Sequence, residues 1–221
     1  MHDRVIEIHD SFSIPLFVVK LEGLTEELKL KDKLEKEFIE NIYDHSECCP
    51  SRDYEHEPWL IAQTNPNLHE KIEFAAFKME MIKAVSCISR DLMKYDKNYL
   101  VDVTGMWGCK QRPKASLHLH SHHNNIFSGV FYPEEDNDFP HIRFKKPFNS
   151  EFLPTVSEPN IYNSGFYFGA KPGKDNLIIF PSWLEHEVPA NFSNKDRLSI
   201  SFNAMLRGKF QDEISYQSAH F

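Results

Sequence analysis

After Lys97 the chain consists of short apolar or alternating runs, each closed by Pro, Gly, Asn or Asp, and this grammar admits few folds. The runs are Tyr99 to Trp107, Ala115 to His120, Phe127 to Tyr132, His141 to Phe144, Gly165 to Phe168, Asn176 to Phe180 and Arg197 to Leu206. Successive side chains of a strand point to opposite faces, so alternation marks half-buried strands, and the punctuating residues supply the turns. Roughly seven strands at this spacing predict a sandwich or barrel rather than βαβ units.

The segment before Lys97 reads differently. Ser11 to Lys20 is β-branched and aromatic, a strand that Pro15 confines to an edge or bulge. Between Thr25 and Tyr43, Leu30, Leu34, Phe38 and Ile42 recur every fourth position, which predicts an amphipathic helix. Asn67 and Glu70, after Pro66, have the outline of a capping box. Helical spacing then runs to about Tyr95 through Leu68, Ile72, Ala76 and Met79. The expected architecture is mainly β with two N-terminal buttressing α-helices in one domain, 1–221. It comprises a strand and helical buttress (1–97), a β core (98–207) and a C-terminal tail (208–221). An independent helical domain of 1–97 is the alternative.

Composition narrows the function classes. A formal net charge of -8 argues against coating nucleic acid or an anionic membrane, which draws on clustered Lys and Arg. With 41% hydrophobic and 26% charged residues, the chain has the make-up of a folded globular protein. Cys48, Cys49, Cys87 and Cys109 show no CxxC spacing and read as reduced thiols. The N-terminus has no apolar signal core and no run is long enough to span a bilayer, so a soluble cytoplasmic protein is expected.

Chemistry concentrates in two places. His118, His120, His122 and His123 put four of the chain's 12 histidines within six positions. In extended backbone His118, His120 and His122 project from one side, about 6 to 7 Å apart at successive pairs, so two neighbours could share a metal. A solvated polar loop is the plainer reading. A buried-looking strand, Asn176 to Phe180, runs into Pro181-Ser182-Trp183-Leu184-Glu185-His186 and delivers a further histidine. Two histidines from one strand and one from another make a facial set with open positions, as a catalytic metal requires. Arg197 and Ser199 share a strand face and could bind a carboxylate, unless Arg197 is merely a salt-bridged strand start.

Taken together, HSHHNNIFSGVFYP (His120 to Pro133), IIFPSWLEHEV (Ile178 to Val188) and RLSISFN (Arg197 to Asn203) resemble the 2-oxoglutarate and Fe(II)-dependent oxygenase superfamily. More closely, they resemble a branch common in marine bacteria and their phages, which would place expression in a host cytoplasm. The resemblance covers about Trp107 to Asn203. It implies a double-stranded β-helix, or jelly roll, akin to a cupin barrel, in agreement with the strand count. It also implies Fe(II), 2-oxoglutarate and O2 as the reacting set, with oxidative decarboxylation coupled to oxidation of a substrate C–H bond. His120 and His122 become the near metal ligands, with His118 as substitute, and His186 the distal one. Arg197 would pair with the C5 carboxylate of 2-oxoglutarate, helped by Ser199 and Tyr132. Most of the superfamily carries HxD or HxE where this chain has His120-Ser121-His122, which leaves the site more positive by one charge.

Phe127, Phe131, Trp183 and Phe202 are candidate apolar walls, with a plain core role as the competing reading. Two further functions stay open. One is a cupin-type metalloenzyme without 2-oxoglutarate, although Trp183 replaces the glycine of PxGxxH. The other is a non-catalytic barrel holding Zn or Ni. The stretch Pro133 to Gly165 is the expected lid over the substrate, a small molecule or a peptide. Nothing in it names that substrate, and oligomeric state is equally unmarked.

Overall fold

The computed structural model describes residues 13–41, 61–147, 155, 157–158, 167–211 and 218–221. The expected mainly-β architecture is present as two antiparallel sheets. The larger contains β1 (Phe17–Lys20), β2 (Ala62–Gln63), β3 (Leu100–Gln111), β5 (Phe127–Tyr132), β8 (Asn176–Pro181) and β10 (Arg197–Arg207), in the order β1-β8-β5-β10-β3-β2. The smaller contains β4 (Leu117–His120), β6 (Ile142–Lys145), β7 (Tyr167–Ala170) and β9 (His186–Val188), in the order β4-β9-β6-β7. This is a jelly roll of two open sheets. Among the described residues no ladder joins them, so the cupin-like barrel expected above is not closed. β1 does lie at an edge, two residues after Pro15.

The central strand β5 is buried along its whole length because both of its faces are covered. On one face Phe127 and Phe131 join Leu177, Ile179, Ile200 and Phe202 under the helices. On the other, Val130 and Tyr132 join Ile178 and Phe180, and the small sheet closes over them with Ile142, Phe144 and Val188. This second layer, between the sheets, is where an interior site can sit.

The helices fall where periodicity put them, with internal breaks. The first is split into α1 (Leu24–Glu27) and α2 (Leu30–Glu40) by Lys29, which stands at φ 50°. Leu30, Leu34 and Phe38 are buried as predicted, whereas Ile42 lies outside the described residues. Gly108 lets α2 approach the sheet: a Cβ there would stand 2.8 Å from Leu34 Cδ2.

The second helix needs correction. Asn67 makes no side-chain cap, and two short 3-10 turns, Leu68–Glu70 and Ile72–Phe74, precede α3 (Ala75–Cys87) and a π turn, Ile88–Leu92. Extended backbone at Lys71 resets the phase, so Ile72 is 83% exposed and Met79 faces outward. Phe74, Phe77, Met81, Val85 and Ile88 form the buried stripe instead, with Phe77 edge-to-face on Phe131 at 5.1 Å. The tail from Gly208 forms a hairpin of β11 (Lys209–Phe210) and β12 (Ala219–His220). No helix among the described residues is long and apolar enough to cross a membrane.

Candidate metal centre

β4 and β9 pair so that His120 stands opposite His186, with an irregularity between Leu117 and His120. That irregularity breaks the strict alternation on which His118 would share their face. His118 is exposed and outside the cluster, although its carbonyl accepts a hydrogen bond from His120 Nδ1 at 2.8 Å. His123 is exposed as well. His122 lies just beyond β4, its backbone N–H donating to the Ser182 carbonyl at 2.9 Å. The turn Pro181 to Leu184, closed by Leu184 N–H on Pro181 O at 3.0 Å, thus fixes His122 and also leads the chain into β9.

One ring nitrogen from each of His120, His122 and His186 lies within 4.8 Å of the other two. The ring centroids are 4.3 Å (His120–His186), 5.1 Å (His122–His186) and 5.2 Å (His120–His122) apart. Each Nδ1 has an oxygen partner: the His118 carbonyl for His120, the Leu184 carbonyl at 2.9 Å for His186, and Asn203 Oδ1 at 2.5 Å for His122. A neutral imidazole that donates from Nδ1 keeps its lone pair on Nε2. Burial lowers all three pKa values, opposed at His120 by the His118 carbonyl and at His122 by Asn203. His186, 4% exposed, is taken down to about 3 by burial first and by its histidine neighbours second. Three neutral imidazoles with convergent lone pairs fit a divalent metal of intermediate softness.

Along β10, Arg197, Ser199, Ser201 and Asn203 share one face, while Leu198, Ile200, Phe202 and Ala204 belong to the helix-side core. Arg197 is 3% exposed, pairs in register with Gln111, and donates from one terminal nitrogen to Gln111 Oε1 at 3.3 Å. Its guanidinium lies 4.8 Å from the Tyr132 ring centroid. Arg197 Nε and the Tyr132 hydroxyl are buried without a hydrogen-bond partner among the described residues. Burial pushes the Tyr132 phenol up, against the pull of Arg197, so it is neutral and able to donate. Ser199, also buried, pairs with Cys109 on β3 and follows Arg197 along the same face.

The named apolar walls are placed elsewhere. Phe127, Phe131 and Phe202 belong to the helix-side core and Trp183 is 57% exposed. The rings beside the histidines are Phe180, 4.7 Å from His186, Phe144 at 6.1 Å, and Trp107, 5.7 Å from His122. Sequence reading also passed over Gln111, Asn203, Ser128 and Ser182. Asn203 was reachable, since it continues the polar face of Arg197, Ser199 and Ser201. Gln111 was not, because only the β3–β10 register brings it to Arg197. The second half of the expected lid lies largely outside the described residues, which include β6 in its first half.

Comparison with known proteins adds the following. Residues 105–203 match a family model described as "Putative 2OG-Fe(II) oxygenase". A search of curated proteins gives no match. Among solved structures, HygX from Streptomyces hygroscopicus, with nickel, 2-oxoglutarate and hygromycin B bound, is 13% identical at a TM-score of 0.58, covering 87% of this chain and 83% of its own. A Pseudomonas putida prolyl-4-hydroxylase is 14% identical at 0.58, covering 89% and 95%. A prolyl hydroxylase from Trichoplax adhaerens, in complex with a peptide fragment of hypoxia inducible factor, is 13% identical at 0.58, covering 86% and 83%. At these identities the likeness is one of fold. The family match spans His120, His122, His186, Arg197 and the side chains that touch them, so the part of the chain that resembles a 2OG-Fe(II) oxygenase is the part that builds the site.

Proposed function

We propose that His120, His122 and His186 hold Fe(II) and that Arg197, with Ser199 and Tyr132, receives the C5 carboxylate of 2-oxoglutarate. The substrate is then a small molecule or peptide presented to the iron from the open side of the site. The observation that carries this reading is Arg197. Its guanidinium is buried, and its one hydrogen bond among the described residues goes to a neutral carboxamide. Leaving a buried cation without an anion costs several kcal/mol, roughly, and a bound carboxylate offsets that. Arg197 Nε and the Tyr132 hydroxyl are the donors left over for it.

When bound, Fe(II) and 2-oxoglutarate supply the oxidation: 2-oxoglutarate, O2 and a substrate C–H become succinate, CO2 and a substrate C–OH. The chain's own residues prepare that event. Backbone carbonyls and Asn203 hold each imidazole as the tautomer that presents Nε2. Gln111 on one side and the Tyr132 ring on the other hold the guanidinium in place. Phe144 and Phe180 pack against His186 and Trp107 against His122. Residues 1–221 are taken as a single domain, because the helices and the large sheet share one core. A cupin-type site or a plain binding barrel leaves the uncompensated Arg197 unexplained. The neighbours were captured with hygromycin B in one case and a peptide in another, so the shared fold does not choose the substrate.

The test is anaerobic mixing with Fe(II) and 2-oxoglutarate, which should give the visible charge-transfer band of the chelate, followed by succinate once oxygen is admitted. His186→Ala should lose metal and band together. A wild-type protein showing neither band nor succinate would sink the reading.

A further inference from the structure

The three imidazoles are not held alike. His120 and His186 direct Nδ1–H to main-chain carbonyls, which no substitution removes. His122 directs its Nδ1–H to a side chain, Asn203 Oδ1. It also stands where most of the oxygenase superfamily carries a carboxylate.

Behind that contact lies a polar chain built into the large sheet. Ser128 Oγ is 2.9 Å from His122 Nδ1 and donates to Asn203 Oδ1 at 2.8 Å. Ser182 Oγ lies 2.8 Å from Ser128 Oγ, and both serines are fully buried. The proton assignment follows from the acceptors. Asn203 Oδ1 carries no hydrogen, so both His122 Nδ1 and Ser128 Oγ donate to it, and Ser182 O–H supplies Ser128. The backbone supports the arrangement twice. Asn203 and Ser128 are register partners across β10 and β5, and the β10–β3 ladder slips between Asn203 and Ala204. A bulge at that point re-aims the side chain on which it falls.

We infer that Asn203, seated by Ser128 and Ser182, is a positioning residue that locks the His122 tautomer and sets the donor strength of its Nε2. As a neutral acceptor it leaves His122 a plain imidazole. A carboxylate in its place would polarise the ring and return, one bond further out, the negative charge that the His120-Ser121-His122 motif lacks. This rests on the metal assignment proposed above, and the test separates the two.

The test reads Co(II) binding alone, without 2-oxoglutarate or turnover, by calorimetry and by the cobalt d–d spectrum. Wild type should bind and His186→Ala should not. Asn203→Ala should weaken binding 10- to 100-fold, the range for loss of an outer partner of a metal histidine. Asn203→Asp should tighten binding about tenfold beyond wild type, with a shifted d–d band. Ser128→Ala should fall between wild type and Asn203→Ala. In metal-free protein, long-range 1H–15N spectra should show His122 as the pure Nδ1–H tautomer, with Asn203→Ala giving a mixture. A purely space-filling role for Asn203 predicts no rescue by Asp beyond wild type and no tautomer change.

Should Asn203→Ala fail to fold, the Asp and Ser128 variants decide alone. If the Asn203 variants bind Co(II) like wild type while His186→Ala does not, this inference falls and the metal centre stands. If His186→Ala binds as well as wild type, the metal centre falls and this inference with it.

Discussion

Gln111 meets Arg197 across the β3–β10 ladder, and its own amide nitrogen is held at 2.8 Å by each of the Ala115 and Pro189 carbonyls. The carboxamide therefore cannot turn, and its oxygen always faces the guanidinium. Arg197→Ala should abolish 2-oxoglutarate binding and spare Co(II) binding. Gln111→Ala should weaken 2-oxoglutarate about tenfold, which is the loss of about 1.4 kcal/mol from one charge-assisted hydrogen bond. Calorimetric titration of 2-oxoglutarate into the Co(II) protein checks both, and an unchanged affinity in Arg197→Ala would remove that residue from the site. Gly129 has a different reason to be what it is. A Cβ there would stand 2.3 Å from Phe202 Cε1, so the Phe202 ring occupies the space a side chain would take. Gly129→Ala should destabilise the protein by about 1–3 kcal/mol, the cost of overpacking a filled core, read from urea midpoints.

Between elements, the tie from the N-terminal segment to the sheet is unexpectedly polar. Asp175, in the turn before β8 at φ 60°, accepts from the Gly23 N–H at 2.9 Å, the Thr25 N–H at 3.1 Å and the Thr25 hydroxyl at 2.5 Å. Its backbone N–H donates to Tyr132 O and its carbonyl accepts from Leu21 N–H. Asp175 thus joins α1 through its carboxylate and the ends of β1 and β5 through its backbone. Asp175→Ala strands several buried donors and forfeits charge-assisted bonds, which should cost roughly 2–4 kcal/mol. Chemical denaturation measures it, and a loss below half a kcal/mol would show that the helices dock without this carboxylate. Asp175→Asn should recover part of the loss, since one amide oxygen still accepts.

For the molecule as a whole, the site's imidazoles couple stability to pH. In the metal-free protein His186 stays neutral down to about 3, whereas in the unfolded chain it protonates near the ordinary 6.5. The unfolded state therefore binds more protons between those values, and stability falls as pH falls through that window. His186 alone contributes a slope of about 1.4 kcal/mol per pH unit, and the lowered His120 and His122 act in the same direction. Denaturation of chelator-treated protein from pH 7.5 to 5 should show the decline, and His186→Leu should flatten part of it. An identical pH dependence in wild type and His186→Leu would refute the linkage. Both imidazole-bearing strands of the small sheet cover the inner face of the large one, so the loss is expected to be cooperative rather than confined to the site.

Strand positions were readable because alternation and turn chemistry are local: β5, β8 and β10 lie almost where Phe127, Asn176 and Arg197 said they begin. The three-residue β9 was missed, since so short a strand leaves no period to read. The α3 stripe differs in phase from the sequence pattern because Lys71 is extended and restarts the helical turn after Leu68, so Phe74 and Phe77 rather than Ile72 and Ala76 face the core. The histidine motif, the Pro181 turn and Arg197 were likewise visible, each being a cluster of chemically special residues close in sequence. Register was not visible, and register alone sets Gln111 against Arg197 and Ser128 against Asn203. Those pairs form between strands distant in the chain, where the hydrophobic pattern states which face a residue takes but not which residue it meets there.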